Sequence, residues 1–161
     1  MGSSHCYNCL MSLRCTNSIH YGNSRVNPTT STMLRGGFGE YVFLDPNPAI
    51  IRVPDDMSTE RALMSVIGNH TVMGGLRKIN GPDPGDTVVV QGSGPIGMGA
   101  LIQSKLRGAA AVIMIGGPAH RLELARELGA DDVIDIQDYS TPEARISRVL
   151  DLTGAGPDMV V

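Results

Sequence analysis

The chain has 161 residues, 42% hydrophobic and 18% charged, with a formal net charge of −3 at neutral pH. That length and composition hold one compact domain plus a smaller piece, with enough apolar matter for a real core. The charge leaves no basic footprint, so nucleic acid is not an expected partner, and no apolar run approaches the roughly 18 residues that span a bilayer.

Residues 1–35 are polar and carry all three cysteines. The segment from Met1 to His5 reads as a leader without fold meaning, and Cys6 stands where an N-myristoylation pattern wants Ser or Thr. The start lacks the apolar core of a signal peptide, so a reducing, cytoplasmic setting is expected. Cys6 and Cys9, with two residues between them, and then Cys15 offer three thiolates that can converge on one tetrahedral zinc ion. A closed site needs a fourth ligand from His5, His20 or water, and the alternative reading is three free thiols.

From residue 36 the composition changes. Stretches 36–44 and 49–54 read as two short strands, with 45–48 (DPNP) as the turn between them. Ser58 is the expected N-cap of a helix over 59–67, with Glu60 in its first turn, and helix resumes over 72–79. Gly68, Gly74 and Gly75 argue against an unbroken helix, and 80–86 reads as a loop.

Residues 87–91 (TVVVQ) then run directly into Gly92-Ser93-Gly94-Pro95-Ile96-Gly97, and a helix is expected from about Ile96 to Arg107. A β-branched strand feeding this glycine spacing and then a helix is a dinucleotide-binding turn. Gly92 permits the tight turn, Gly94 lets backbone approach a pyrophosphate, and Gly97 lets the helix lie close on the strand. The first helical N–H groups would face the phosphates with the positive end of the helix dipole behind them.

An α/β rhythm follows. Strand 111–115 leads to Pro118 at the first position of a helix ending at Leu128, with Gly129 as its terminating glycine. Leu122, Leu124, Ala125 and Leu128 supply its apolar stripe. Strand 133–136, helix 142–152 and a fourth strand over 158–161 complete the pattern. Continuous apolar strands alternating with helices predict a parallel sheet covered on both faces. Right-handed crossovers give strand order 3-2-1-4, with the ligand crevice at the carboxyl ends of strands 1 and 4. An NAD-preferring site places an acid about 20 residues beyond the glycine turn, whereas this chain has Gly116 and Gly117 there. Without that carboxylate, and with Arg121 near enough to offer a cation, the cofactor is written NAD(P), leaning to NADP.

Three stretches together resemble the medium-chain zinc-dependent alcohol dehydrogenase superfamily: 36–42 (GGFGEYV), 84–97 (PGDTVVVQGSGPIG) and 121–131 (RLELARELGAD). The resemblance implies that 1–56 is the end of a GroES-like catalytic domain with a remnant of the structural-zinc lobe. Residues 57–161 would be an incomplete Rossmann-type domain, since the family's sheet has six strands. The lobe uses four cysteines in the family, and Ser3 stands where the first would be. The implied chemistry is hydride transfer between a zinc-bound alcohol and NAD(P), on a small-molecule alcohol or carbonyl substrate. Two catalytic zinc ligands of the family lie upstream of anything present, and the third falls in a segment resembling 65–72. Asn69 occupies roughly that ligand's place, and Asn is a poor zinc ligand; His70 is either a substitute or a hydrogen-bonding helix-end residue. No catalytic residue is assigned, and the chain as given is expected to be inactive in turnover. A homo-oligomer is expected, because the apolar edge at 160–161 invites pairing. A zinc-free quinone-reductase-like member and a non-catalytic dinucleotide-binding module are the alternatives.

Overall fold

Helix formation begins where the sequence supplies a cap. Ser58 accepts the N–H of Arg61 on its hydroxyl at 3.3 Å and starts α1 (Thr59–Ser65). The helix does not break at Gly68. A π-helical turn (Val66–His70) carries the chain straight into α2 (Thr71–Lys78), so the expected interruption between 67 and 72 is absent. Gly68 is there for contact: a side chain on it would come within 2.5 Å of the Pro95 carbonyl oxygen and 3.9 Å of Gly99 Cα. A glycine read as a breaker is thus a point of close helix crossing.

The computed structural model describes residues 37, 39–44 and 50–161. The chain divides into two compact units, Met1–Arg52 and Val53–Val161. The strands expected over 36–44 and 49–54 are not found: residues 41–44 and 50–53 join no ladder among the described residues. Strand propensity registers a fit to a half-buried pleated surface, and without a paired neighbour it makes no strand. The expected turn at 45–48 lies outside the described residues.

The second unit holds the sheet. Its elements alternate as β1 (Thr87–Gln91), α3 (Pro95–Leu106), β2 (Ala111–Gly116), α4 (Ala119–Glu127), β3 (Asp132–Asp135), α5 (Pro142–Thr153) and β4 (Met159–Val160). All four strands are parallel in the order β3-β2-β1-β4, as right-handed crossovers require. In register, Thr87 faces Ala111, Ile113 faces Asp132, and Val88 faces Met159. Asp158 clamps the start of β4, because its carboxylate accepts the Thr87 N–H at 2.8 Å while its own N–H reaches the Thr87 carbonyl at 2.9 Å. Element ends move by a residue or so; Pro118 caps α4 from outside rather than occupying its first position, and Gly129 (φ 103°) ends it as expected.

Side-chain alternation splits the core into two layers. Val88, Val90, Val112 and Met114 point to one face and pack with Leu76 of α2, Leu101 of α3 and Leu122 of α4. Val89, Ile113, Ile115 and Ile134 point to the other and pack with Val149 of α5. Each full burial of such a side chain contributes about 1.5–3 kcal/mol of transfer free energy. These two layers hold the carboxyl ends of β1 and β2 in place.

Candidate dinucleotide-binding site

The three glycines after β1 do three different jobs. Gly92 leaves the strand at φ 108°, a left-handed conformation that only glycine adopts without strain, and its N–H is tied to the Ile115 carbonyl at 2.7 Å. Gly94 is the N-cap of α3, and a side chain built on it would meet nothing within 4 Å. That open space lies directly in front of a helix N-terminus. Pro95 sits in the first helical turn, where a missing N–H costs nothing, and the turn's remaining donors have no partner within the helix. Gly97 is closed in: a Cβ there would run into the Gly92 carbonyl oxygen and lie 3.6 Å from Val90 Cγ1. The helix therefore lies directly on the turn. Oriented N–H groups, the positive helix end and open space in front form an anion-accepting cradle.

The end of β2 is locked to this turn. Ser93 is buried, and its hydroxyl both donates to the Gly117 carbonyl at 2.8 Å and accepts the Gly117 N–H at 3.0 Å. Any side chain on Gly116 would begin 2.5 Å from Ser93 Oγ. The position where sequence counting looks for an acid is filled by Ser93, so an acid introduced there would displace the lock. Counting residues cannot show that.

Gly92, Gly94, Gly116, Gly117 and Arg121 all line one cavity of about 440 Å³ over the carboxyl ends of β1 and β2. Pro95 lines an adjoining apolar groove of about 380 Å³, which shares Gly94 and Arg121 and takes in Leu124 and Leu128. Ile96 is exposed, and Gly97 lies behind the turn. Arg121 is exposed at the start of α4, and no hydrogen bond or ion pair holds its side chain among the described residues. The cavity also contains Arg145 of α5, a residue the sequence reading did not single out. Its Nη1 donates to the Tyr139 carbonyl at 2.8 Å and the Ser140 carbonyl at 3.0 Å, which fixes the guanidinium at the rim. No local signal marks it, because its approach depends on how the segment after β3 turns back.

Metal chemistry is less visible. Cys6, Cys9 and Cys15, with His5 and His20, lie outside the described residues. Among the described residues, no group of three or more His, Cys, Asp or Glu side chains could hold a metal ion. Asn69 is half-buried in the π-helical turn, and its Oδ1 accepts from Gln103 Nε2 of α3 at 3.2 Å. That side chain is a strut between the turn and the helix that follows the glycines. His70 and His120 are exposed.

Comparison with known proteins finds dehydrogenases. A family model described as zinc-binding dehydrogenase matches residues 95–161. An alcohol dehydrogenase of Cupriavidus necator is 36% identical over 123 residues, 76% of this chain and 32% of the relative. An L-threonine 3-dehydrogenase of Rhizobium johnstonii is 42% identical over 104 residues, 62% of this chain and 28% of the relative. The crystal structure of an alcohol dehydrogenase from Thermotoga maritima superposes with a TM-score of 0.78 at 28% identity, covering 99% of this chain and 44% of that one. The chain thus spans about a third of the length of the curated relatives it matches.

Proposed function

This chain belongs to the medium-chain zinc-type alcohol dehydrogenase superfamily, and from that premise we propose that its second unit is the cofactor-binding body of an NAD(P)-dependent oxidoreductase. The substrate class is a small-molecule alcohol or the corresponding carbonyl. The observation that carries the proposal is the cradle: an open Gly94 before a helix N-terminus, with Gly92 and Gly97 fixing the turn around it. When bound, the nicotinamide supplies or takes up the hydride. The chain's own part is to hold and orient. The N–H groups at the start of α3 donate to the pyrophosphate, while Ser93 keeps the Gly116–Gly117 floor against the turn. Arg121 stands at the ribose side of the cavity, where the absence of a carboxylate at Gly116 and Gly117 favours NADP over NAD.

Residues 1–56 are read as the end of a GroES-like catalytic domain and 57–161 as part of a Rossmann-type domain. Cys6, Cys9 and Cys15 are the proposed thiolate ligands of a structural zinc, a donor set that suits that ion. Asn69, tied to Gln103, is assigned to positioning rather than to metal ligation. Association into a homo-oligomer and a cytoplasmic setting complete the proposal. A zinc-free quinone-reductase-like protein would present the same cofactor body, and the cysteine cluster favours the zinc reading over it.

The test is a titration of the purified chain with NADH and NADPH, followed by nicotinamide fluorescence, alongside metal analysis. Saturable binding and bound zinc are expected. No response to either nucleotide would overturn the proposal, and binding without zinc would shift it to the zinc-free reading.

A further inference from the structure

The second guanidinium in the cavity has no place in the reading above. Arg121 reaches the cavity from the start of α4, whereas Arg145 reaches it from α5 on the opposite face of the sheet. Two cations from separate elements therefore line one space, and no carboxylate is among the described residues lining it. Arg145 is fixed in advance, because its Nη1 protons are occupied by the carbonyls of Tyr139 and Ser140. A guanidinium carries five N–H donors, so the Nε and Nη2 protons are left for a ligand. Asp135 ends β3, and its Oδ1 lies 3.6 Å from where a side chain on Gly117 would start. That oxygen accepts the Gln137 N–H at 2.9 Å.

We propose that Arg145 is a specificity-determining residue that, with Arg121, clamps the 2′-phosphate of NADP(H). The inference rests on the cavity being the dinucleotide site. A phosphate monoester carries about −1.5 to −2 charges at neutral pH and presents three acceptor oxygens, which two guanidiniums can share. A ribose with a free 2′-hydroxyl offers them neither the charge nor the acceptors. Arg145 thus acts on the choice of cofactor and has no part in the chemical step. Because its rotamer is already held by two backbone carbonyls, less ordering entropy is lost when the phosphate arrives.

The probes are 5′-AMP and 2′,5′-ADP, which differ only in the 2′-phosphate, titrated into the full chain by calorimetry. Wild type should bind 2′,5′-ADP at least tenfold more tightly than 5′-AMP. Arg145→Ala should cut that ratio about tenfold while leaving 5′-AMP affinity within twofold, Arg121→Ala should cut the ratio by a similar factor, and Arg145→Lys should recover part of it. Retained 5′-AMP binding in Arg145→Ala also shows that the loop it braces is intact. If that variant loses both ligands, Arg121→Ala, whose side chain braces nothing, decides the clamp by itself. Equal affinity of wild type for the two probes, or a ratio unmoved in the variants, would overturn the clamp and leave the dinucleotide site standing. Tighter binding of 5′-AMP would assign the ribose to Asp135 instead. Binding of neither probe would overturn the cofactor reading as well.

Discussion

Replacing Gly97 with Ala should destabilise the second unit strongly, although alanine is the better helix former. On propensity alone the change gains up to about 1 kcal/mol in a helix interior. Against that, the new methyl would occupy space held by the Gly92 carbonyl oxygen, with the carbonyl carbon 2.9 Å away. Gly92 cannot yield easily, because its φ is 108° and its N–H is anchored to Ile115 at 2.7 Å. The helix must then lift off β1 and loosen Ala100 and Leu101, both buried in the core layer with Val88 and Val90. Overpacking of this kind costs about 1–3 kcal/mol, and more where backbone must move. The expected net loss is about 2–3 kcal/mol, which for a unit of this size lowers Tm by roughly 10–20 °C. Urea and thermal denaturation followed by far-UV circular dichroism measure it, with Gly94→Ala as the control whose midpoint should barely move. A Gly97→Ala protein as stable as wild type would refute the close crossing of α3 on the turn.

Ser104 is fully buried in α3 and its hydroxyl has no hydrogen-bond partner among the described residues, so Ser104→Ala should raise stability by about 1 kcal/mol in a urea melt; a lower midpoint would show that the hydroxyl is satisfied after all. Asp131 accepts the N–H of buried Val112 at 2.6 Å and Lys105 Nζ at 3.0 Å. Asp131→Ala should therefore cost about 1–3 kcal/mol and Lys105→Ala less than about 1 kcal/mol, and equal losses would contradict that ranking. Glu60 is held below the usual carboxylate range by its own backbone N–H and by the Ser58 hydroxyl. A depressed carboxylate stabilises the fold above its unfolded pKa and loses that effect as pH falls through the folded value. Ser58→Ala should raise the Glu60 pKa in an NMR titration, and an unmoved pKa would remove Ser58 as a cause.

Most of the sheet was legible in the sequence because its causes are local or nearly so. The runs at 87–91 and 111–116 are too apolar to face water on either side, and the lengths between strands admit only helical crossovers. Strand order then followed from right-handed crossovers that must cover both faces of the sheet. The helix over 59–78 was misread because Gly68 acts through a neighbour 27 residues away, Pro95, and no local rule contains that neighbour. The strands expected over 36–44 and 49–54 are missing among the described residues for the opposite reason: the composition was right, but a ladder needs a partner. In the site, Gly92, Gly94 and Gly97 could be read from spacing, since each role is set within six residues. Arg145 could not, and neither could the Ser93 lock at Gly116, because both depend on segments brought together only by folding.

The central claim is that a dinucleotide's phosphates lie in front of Gly94, and Gly94→Val tests it most directly. The backbone at Gly94 has φ −85°, which valine adopts, and the side chain would project into open space, so the fold should survive with a midpoint within a few degrees of wild type. The branched side chain would occupy the phosphate position. NADH and NADPH titrations monitored by fluorescence should show at least tenfold weaker binding of both, about 1.4 kcal/mol or more. A folded Gly94→Val protein that binds both nucleotides as tightly as wild type would contradict the account.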